Sequence, residues 1–396
     1  MPQDKKDKNL NVPPLRFPGF TDEWKRVKVS DLLDFYSTNS LSWDMLNYEG
    51  GEILNLHYGL IHSGLPTLID LKKDILPFVN ETAKPKKFTL CKEGDIAFAD
   101  ASEDTNDVAK AVEFINLDGQ QVVGGLHTIH GRDNENKTVV GFKGYAFASS
   151  AFHNQIRRIA QGTKIYSVSS KSFDEVFIGI PNKEEQTQIA RLLHLIDERI
   201  ATQNKIIEDL KKLKSAIYDK VFHSLKGERS SLGDVADIIK GKQINGEFLT
   251  EVGDYYVMNG GVEPSGYYHN FNVSHNTISI SEGGNSCGYI QWNSAPFWSG
   301  GHCYTLRIKK SAIENKYLYQ FLKWHENDIM RLRIGSGLPN IQKKDLANVT
   351  ILIPKTSVQN QIIHLMDSID EKIEIESKVS LVFFRQRTYL LSQMFI

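Results

Sequence analysis

The 396-residue chain has no apolar run of the roughly 18 residues that a membrane helix requires. Its opening, MPQDKKDKNLNVPP, holds no apolar core, so it reads as a disordered leader over residues 1–13 and not as a signal peptide. Cysteine is scarce. Cys91, Cys287 and Cys303 are odd in number and show no CxxC spacing, which argues against a disulfide framework and against a zinc site and fits a reducing cytoplasm. The charge excess of an overt nucleic-acid binder is missing too, since the formal net charge is −1. So are the nucleotide-binding signatures: there is no P-loop and no GxGxxG opening a helix.

What is present is uneven. Between Leu306 and Asp345 nine Lys and Arg residues face four acids, a local excess of five positive charges. Such a segment can attract phosphate on a neutral protein, or it can be a solvated helix face. The loop-rich stretch YYVMNGGVEPSGYYHNFNVSHNTISISEGGNSCGYIQWNSAPFWSGG is dense in Asn, Ser, Gly, Tyr and Trp. Asn bonds adenine edges with two hydrogen bonds, although the same composition also builds ordinary turns.

The strongest signal is an internal repeat. Gly162–Ile200 aligns without gaps on Gly335–Ile373 at an offset of 173, with 14 of 39 positions identical, among them Pro181/Pro354, Gln186/Gln359 and Asp197/Asp370. Two unrelated amphipathic helices would share isoleucines but not Pro, Gln and Asp-Glu in register. Upstream, DIAFADASEDTNDVAKAVEF resembles TISISEGGNSCGYIQWNSAPF, VVGGLHTIHGR resembles WSGGHCYTLRI, and VKVSDLLDF resembles SSLGDVADI. The chain therefore reads as two copies of one unit: a mixed α/β globule followed by a long helix. The boundaries are 14–181 and 227–354 for the globules, and 182–226 and 355–396 for the helices.

Each helix starts after a proline, with Asn182 and Glu185 or Thr356 and Gln359 in capping-box spacing. Ile189, Leu193, Ile196, Ile200, Gln203, Ile207, Leu210, Lys214, Ile217 and Val221 follow alternating steps of four and three, the seam of a coiled coil. The second helix keeps Ile362, Met366, Ile369 and Ile373 and then reads as less regular. About 40 residues make a helix of about 60 Å, long enough to act as a spacer. Its apolar stripe also suits partner docking.

No catalytic constellation emerges. NVPPL lies in the leader and follows no strand. Asp95, Asp100, Glu103 and Lys110 have the wrong spacing for a nuclease, and the second copy offers only Glu282. His127 and His302 each follow a Gly-Gly turn, with Cys303 next to His302. Adjacent strand residues point to opposite faces, so a Cys–His pair is disfavoured and a packed or hydrogen-bonded histidine is the expectation.

These passages, GTKIYSVSSKSFDEVFIGIP…EEQTQIA and GSGLPNIQKKDLANVTILIP…VQNQII, each opening a long helix after a variable globule, resemble the specificity subunits of type I restriction–modification enzymes. The resemblance spans nearly the whole chain. It departs at GTKIYSV, which replaces the Leu-Pro-Asn-Ile form, and at Val358–Gln359, where Glu-Gln is usual. It implies an α/β (α+β) fold with two target recognition domains separated by two long similar helices, pairing as an antiparallel coiled coil with pseudo-two-fold symmetry. It implies that each globule reads one half of a split sequence in double-stranded DNA. Two modification (methyltransferase) subunits carrying S-adenosylmethionine are then expected to dock on the helices. Two restriction (translocase and nuclease) subunits using ATP and Mg are expected to join them. The chain itself would bind no cofactor, hold no metal, catalyse nothing and contact no membrane.

On that reading the DNA-contact candidates are Lys110, Arg157, Arg158, Lys164 and Tyr166 in the first globule. In the second they are Lys240, Lys242, Asn259, Asn285, Arg331, Arg333 and Ser336. Each is equally readable as a solvated surface residue. The seam and docking candidates are Ile189, Leu193, Ile196, Ile200, Ile207, Leu210, Ile217, Ile362, Met366, Ile369 and Ile373. The competing reading is a coiled-coil adaptor between two protein ligands, with no DNA role. A methyltransferase in its own right would need a glycine loop that the chain lacks.

Overall fold

In a computed structural model, the described residues are 11–335, 337 and 339–396. The chain forms two compact units. One runs up to Gln203 and takes in Val379–Ile396; the other is Asn204–Lys378. Of the expected leader, Asn11–Pro13 lie within the described part: Pro13 is buried, and the Asn11 carbonyl accepts from the Trp24 amide at 2.8 Å.

The first unit opens with β1 (Lys25–Lys28), the one-turn helix α1 (Val29–Leu32) and β2 (Asp34–Tyr36). An insert follows: β3 (Leu46–Asn47), β4 (Ile53–Leu56), α2 (Tyr58–Ser63), β5 (Leu68–Asp70) and β6 (Phe78–Val79). Then come β7 (Ile96–Ala99), β8 (Ala101–Ser102), β9 (Ala111–Asn116), β10 (Gln121–Gly124) and β11 (Thr128–Arg132). The helices α3 (Phe142–Phe147) and α4 (Ser150–Ile159) lead through β12 (Tyr166–Ser167) and β13 (Phe177–Ile180) into α5 (Lys183–Ser224). The central sheet has the order β2-β11-β7-β9-β5, a second sheet the order β10-β4-β6-β3, and β1 pairs antiparallel with β13.

The second unit repeats this frame with β14 (Glu228–Ser231), α6 (Leu232–Val235) and β15 (Ala236–Lys240). Its insert is shorter and contains β16 (Tyr255–Met258) and β17 (Tyr267–Tyr268). Next are β18 (Thr277–Ser281), β19 (Ile290–Asn293), β20 (Trp298–Ser299) and β21 (Cys303–Ile308). The unit continues through α7 (Asn315–Trp324), α8 (Glu326–Met330), α9 (Lys343–Ala347) and β22 (Thr350–Ile353) to α10 (Thr356–Gln393). The sheet order β15-β21-β18-β19 matches β2-β11-β7-β9 strand for strand, and β14 pairs with β22 as β1 does with β13. The three upstream resemblances in the sequence fall on these matched strands.

Each core is completed by both long helices. Ile189, Leu193 and Ile196 from the start of α5 are buried with Leu390 and Leu391 from the end of α10, and with Met394 and Phe395 just beyond it, in the first unit. Ile362 and Met366 from the start of α10 are buried with Tyr218 and Phe222 from the end of α5 in the second. These are the same positions exchanged, since 173 residues separate Tyr218 from Leu391 and Phe222 from Phe395. The ion pairs follow suit. In the first unit Asp197 accepts from Arg387 Nε at 2.5 Å; in the second Asp370 accepts from Lys214. Asp197 and Asp370 are 173 apart, as are Lys214 and Arg387. Each unit therefore makes the same helix-to-helix contacts, with the parts of α5 and α10 exchanged. In the first unit the helices run antiparallel, because Arg199 meets Phe383 two residues on in α5 and four back in α10.

The seam of α10 is more regular than its sequence suggests. Ile362, Met366, Ile369, Ile373, Glu376, Ser380, Phe383, Arg387, Leu390 and Met394 are all at least half-buried and keep the four-three alternation throughout. Counting apolar residues missed it because Glu376, Ser380 and Arg387 occupy seam positions. Along α5, Ile200, Ile207, Leu210 and Ile217 are half-buried.

The capping boxes are also corrected. Asn182 does cap α5, its Oδ1 accepting from the Glu185 amide at 2.9 Å, but the Glu185 carboxylate turns to Arg16 in a bidentate pair at 2.6 and 2.8 Å. Thr356 is already helical, and the first backbone bonds of α10 close on the Lys355 carbonyl. The repeated glutamine has a different task. Gln186 accepts from the Val139 amide and donates to the carbonyls of Lys137 and Pro181. Gln359 accepts from the Glu314 amide and donates to those of Ala312 and Pro354. Both are fully buried, so each satisfies backbone groups that water cannot reach and ties its helix to its globule.

Candidate nucleic-acid interface

In both units one end of the central sheet is built alike. The Gly125 amide donates to the Leu56 carbonyl at 2.9 Å, and the Gly300 amide to that of Met258 at 2.8 Å. Only glycine fits at these turns. A Cβ on Gly125 would lie 2.3 Å from Asn55 Oδ1, and one on Gly300 2.5 Å from Asn259 Oδ1. The match puts His57 opposite Asn259 and His127 opposite His302. Asp100 likewise matches Glu282, whose amides donate to the carbonyls of His127 and His302. The carboxylates then differ. Asp100 takes His127 Nδ1 at 3.1 Å, whereas Glu282 takes Lys240 at 2.7 Å and the Tyr304 hydroxyl at 2.9 Å.

In the first unit, several sequence candidates gather on the loop between β8 and β9. Arg157, exposed on α4, donates to Asn106 at 2.6 Å, and Tyr166 pairs with Ser102 across β12 and β8. Burial pushes the His153 imidazole down to about 4, aided by the charges of Arg157 and Lys110. Arg158 and Lys164 are exposed. Sequence reasoning named His127 but missed its neighbours Trp43, His57, Tyr58 and His62, which are scattered through the insert.

In the second unit, Lys240 is committed to Glu282, Asn259 Oδ1 accepts from the His302 amide at 3.1 Å, and Lys242 is exposed. Arg331 pairs with Asp328 at 2.9 Å. Asn285 and Arg333 are exposed, and the Gly283–Asn340 and Ile334–Asn340 bridges bring their segments together. Ser336 lies outside the described residues. Lys240, Lys242, Asn272, Thr277, Arg307 and Asn315 line a cleft of about 550 Å³ on the outer face of the sheet. There Arg307 holds the Asp237 carboxyl below its usual range.

The catalytic alternatives do not assemble. Asp95 is buried between His130 at 2.7 Å and Arg132 at 2.7 and 2.8 Å, while Asp100 belongs to the exposed sheet end. Burial alone would raise Asp95, but the bonds from Arg132 and His130 hold it below the usual range. Cys91, Asp95 and His130 have metal-ligand spacing. Arg132 already neutralises the carboxylate, and burial pushes the Cys91 thiol up, so these residues suit an internal ion pair better than a cation. Cys303 is buried and His302 exposed, on opposite faces as the strand alternation requires.

The frame, stated twice with two long helices, is that of a family. The family described as type I restriction modification DNA specificity domain matches residues 21–212 and again 226–381. The chain belongs to this family. A type I specificity subunit of Mycoplasma pneumoniae is 35% identical over 149 residues, 37% of this chain and 39% of that protein. One of Mycoplasma genitalium is 31% identical over 159 residues, 39% of this chain and 41% of that protein. The chain thus spans about two fifths of the length of these curated relatives. The crystal structure of the type I restriction–modification S subunit from M. genitalium shares the fold, with a TM-score of 0.62 at 20% identity over 97% of this chain and 99% of that one.

Proposed function

We propose that the chain is the DNA-reading scaffold of a type I restriction–modification complex in the cytoplasm. Each globule, a target recognition domain, reads one half of a bipartite target in double-stranded DNA. The long helices set the spacing of the halves. They also dock two modification subunits, which bring S-adenosylmethionine and the methylation chemistry, and restriction subunits with ATP and Mg join that assembly. The chain supplies addresses and no catalysis. The observation that carries this reading is the same sheet, Gly-Gly turn and helix clamp built twice around inserts that differ. Exposed apolar residues on α5 (Leu195, Ile206, Leu213) and α10 (Ile375, Val382, Phe384) suit helix docking. Among the described residues no helix is long and apolar enough to cross a membrane.

DNA binding by the chain together with its modification subunit tests the reading. Replacing Arg331 and Arg333 by alanine lowers the slope of log affinity against log salt by about two if both touch phosphate. An unchanged slope removes them from the interface. A complex whose DNA binding is indifferent to this chain favours the adaptor reading instead.

A further inference from the structure

We propose that the first unit reads its half of the target with an aromatic–imidazole surface made by Trp43, Tyr58, His62 and His127. The inference rests on the DNA-reading function above and assigns the residues that perform it. Trp43 is 46% exposed and lies over His57 at 4.3 Å. His57 meets Tyr58 at 4.7 Å, and Tyr58 meets His127 at 5.2 Å and His62 at 5.9 Å, both edge-on. The rings therefore form one continuous patch at the sheet end, left open where a core cluster would be closed.

Three features point to recognition. His127 has φ +53°, and left-handed backbone in a residue other than glycine is a strain that clusters at functional sites. Its side chain is 51% exposed although Asp100 holds Nδ1, so Nε2 is presented outward. The neutral ring then offers Nε2 as an acceptor for an adenine or cytosine amino group. The charged ring offers a donor for guanine. His62 donates through Nε2 to the Ala101 carbonyl at 3.0 Å, leaving Nδ1 as a second acceptor. Behind them burial, with His127 nearby, pushes the His57 imidazole below its ordinary value, and its Nδ1 accepts from the Gly59 amide.

The patch is also flanked as a base-reading surface should be. The segment that starts at Asp100, beside His127, runs through β8 to the loop of Asn106, which accepts from Arg157 at 2.6 Å. Base contacts and phosphate contacts would thus share one segment, the first specifying and the second positioning. At the matching place the second unit carries Asn259, Glu282 and His302, with the carboxylate held by Lys240. The two halves of the target should accordingly differ.

The test is methylome sequencing of cells carrying the full chain with its modification subunit, wild type against Trp43→Ala and His127→Asn. Asparagine tolerates the left-handed backbone, so the second variant keeps the fold, and an unchanged thermal midpoint checks this. The inference expects about a tenfold or greater loss of discrimination at one or more positions in one half of the target, with the other half unchanged. Wild-type discrimination in both variants, or equal loss in both halves, overturns it. A wild-type complex without a bipartite preference contradicts the DNA-reading function as well, and so is distinguishable from failure of this surface alone.

Discussion

The two globules share a frame and differ in what fills it. Between β2 and β7 the first carries residues 37–95, with a helix, four strands and a second sheet; between β15 and β18 the second carries only 241–276. The longer insert covers the outer face of its sheet with a second apolar core of Leu54, Leu56, Phe114 and Val122. The shorter one leaves that face partly open as the cleft beneath Lys240 and Arg307. Three things stay the same: the Gly-Gly turn at the sheet end, the buried glutamine that joins globule to helix, and the exchanged ion pairs between the helices. The frame is shared, and the inserts differ.

The largest expected effect separates the units. Lys143 is buried against Glu113 at 3.1 Å in the first unit. Lys143→Met leaves that carboxylate alone and should destabilise the first unit by about 3–5 kcal/mol at neutral pH in denaturant unfolding. Burial already raises Glu113, so the loss shrinks as acid protonates it. Next comes the feature the units share. Gln186→Ala and Gln359→Ala each orphan one buried amide and two carbonyls, and each should cost about 2–3 kcal/mol, the first in its own unit and the second in the other. Hydrogen exchange resolved by unit would show a sharp inequality if the clamps are not equivalent.

A smaller effect belongs to the first unit alone. His153 is depressed to about 4 from 6.5, so its neutral form is the one the fold accepts. Stability is full above pH 6.5 and falls as pH drops through 4, by about 3 kcal/mol in all. His153→Gln should flatten that limb of the pH–stability curve in the first unit and leave the second untouched. The smallest effect tests reciprocity. Asp197→Ala and Asp370→Ala remove partly exposed ion pairs and should each cost about 0.5 kcal/mol. Similar values in thermal unfolding support equivalent helix contacts in the two units, and a tenfold disparity breaks the equivalence.

The frame was legible because register survives in sequence: an offset of 173 carries Pro, Gln and Asp together. The second half of the α10 seam was not, since Glu376, Ser380 and Arg387 interrupt the apolar pattern while keeping its positions. The role of Gln186 and Gln359 was hidden because their backbone partners, at 137–139 and 312–314, lie far off in sequence and share no motif. The imidazole patch was nearly invisible for the same reason. Its members span Trp43 to His127, and only the Gly-Gly turn drew attention to one of them.

The central claim is that each globule reads its own half-site. Exchanging residues 230–350 for the matching segment of a relative with a different target, followed by methylome sequencing, tests it most directly. One half of the methylated sequence should change while the other half and the spacing stay as they were. A methylated sequence unchanged in both halves, or altered in both, would contradict it.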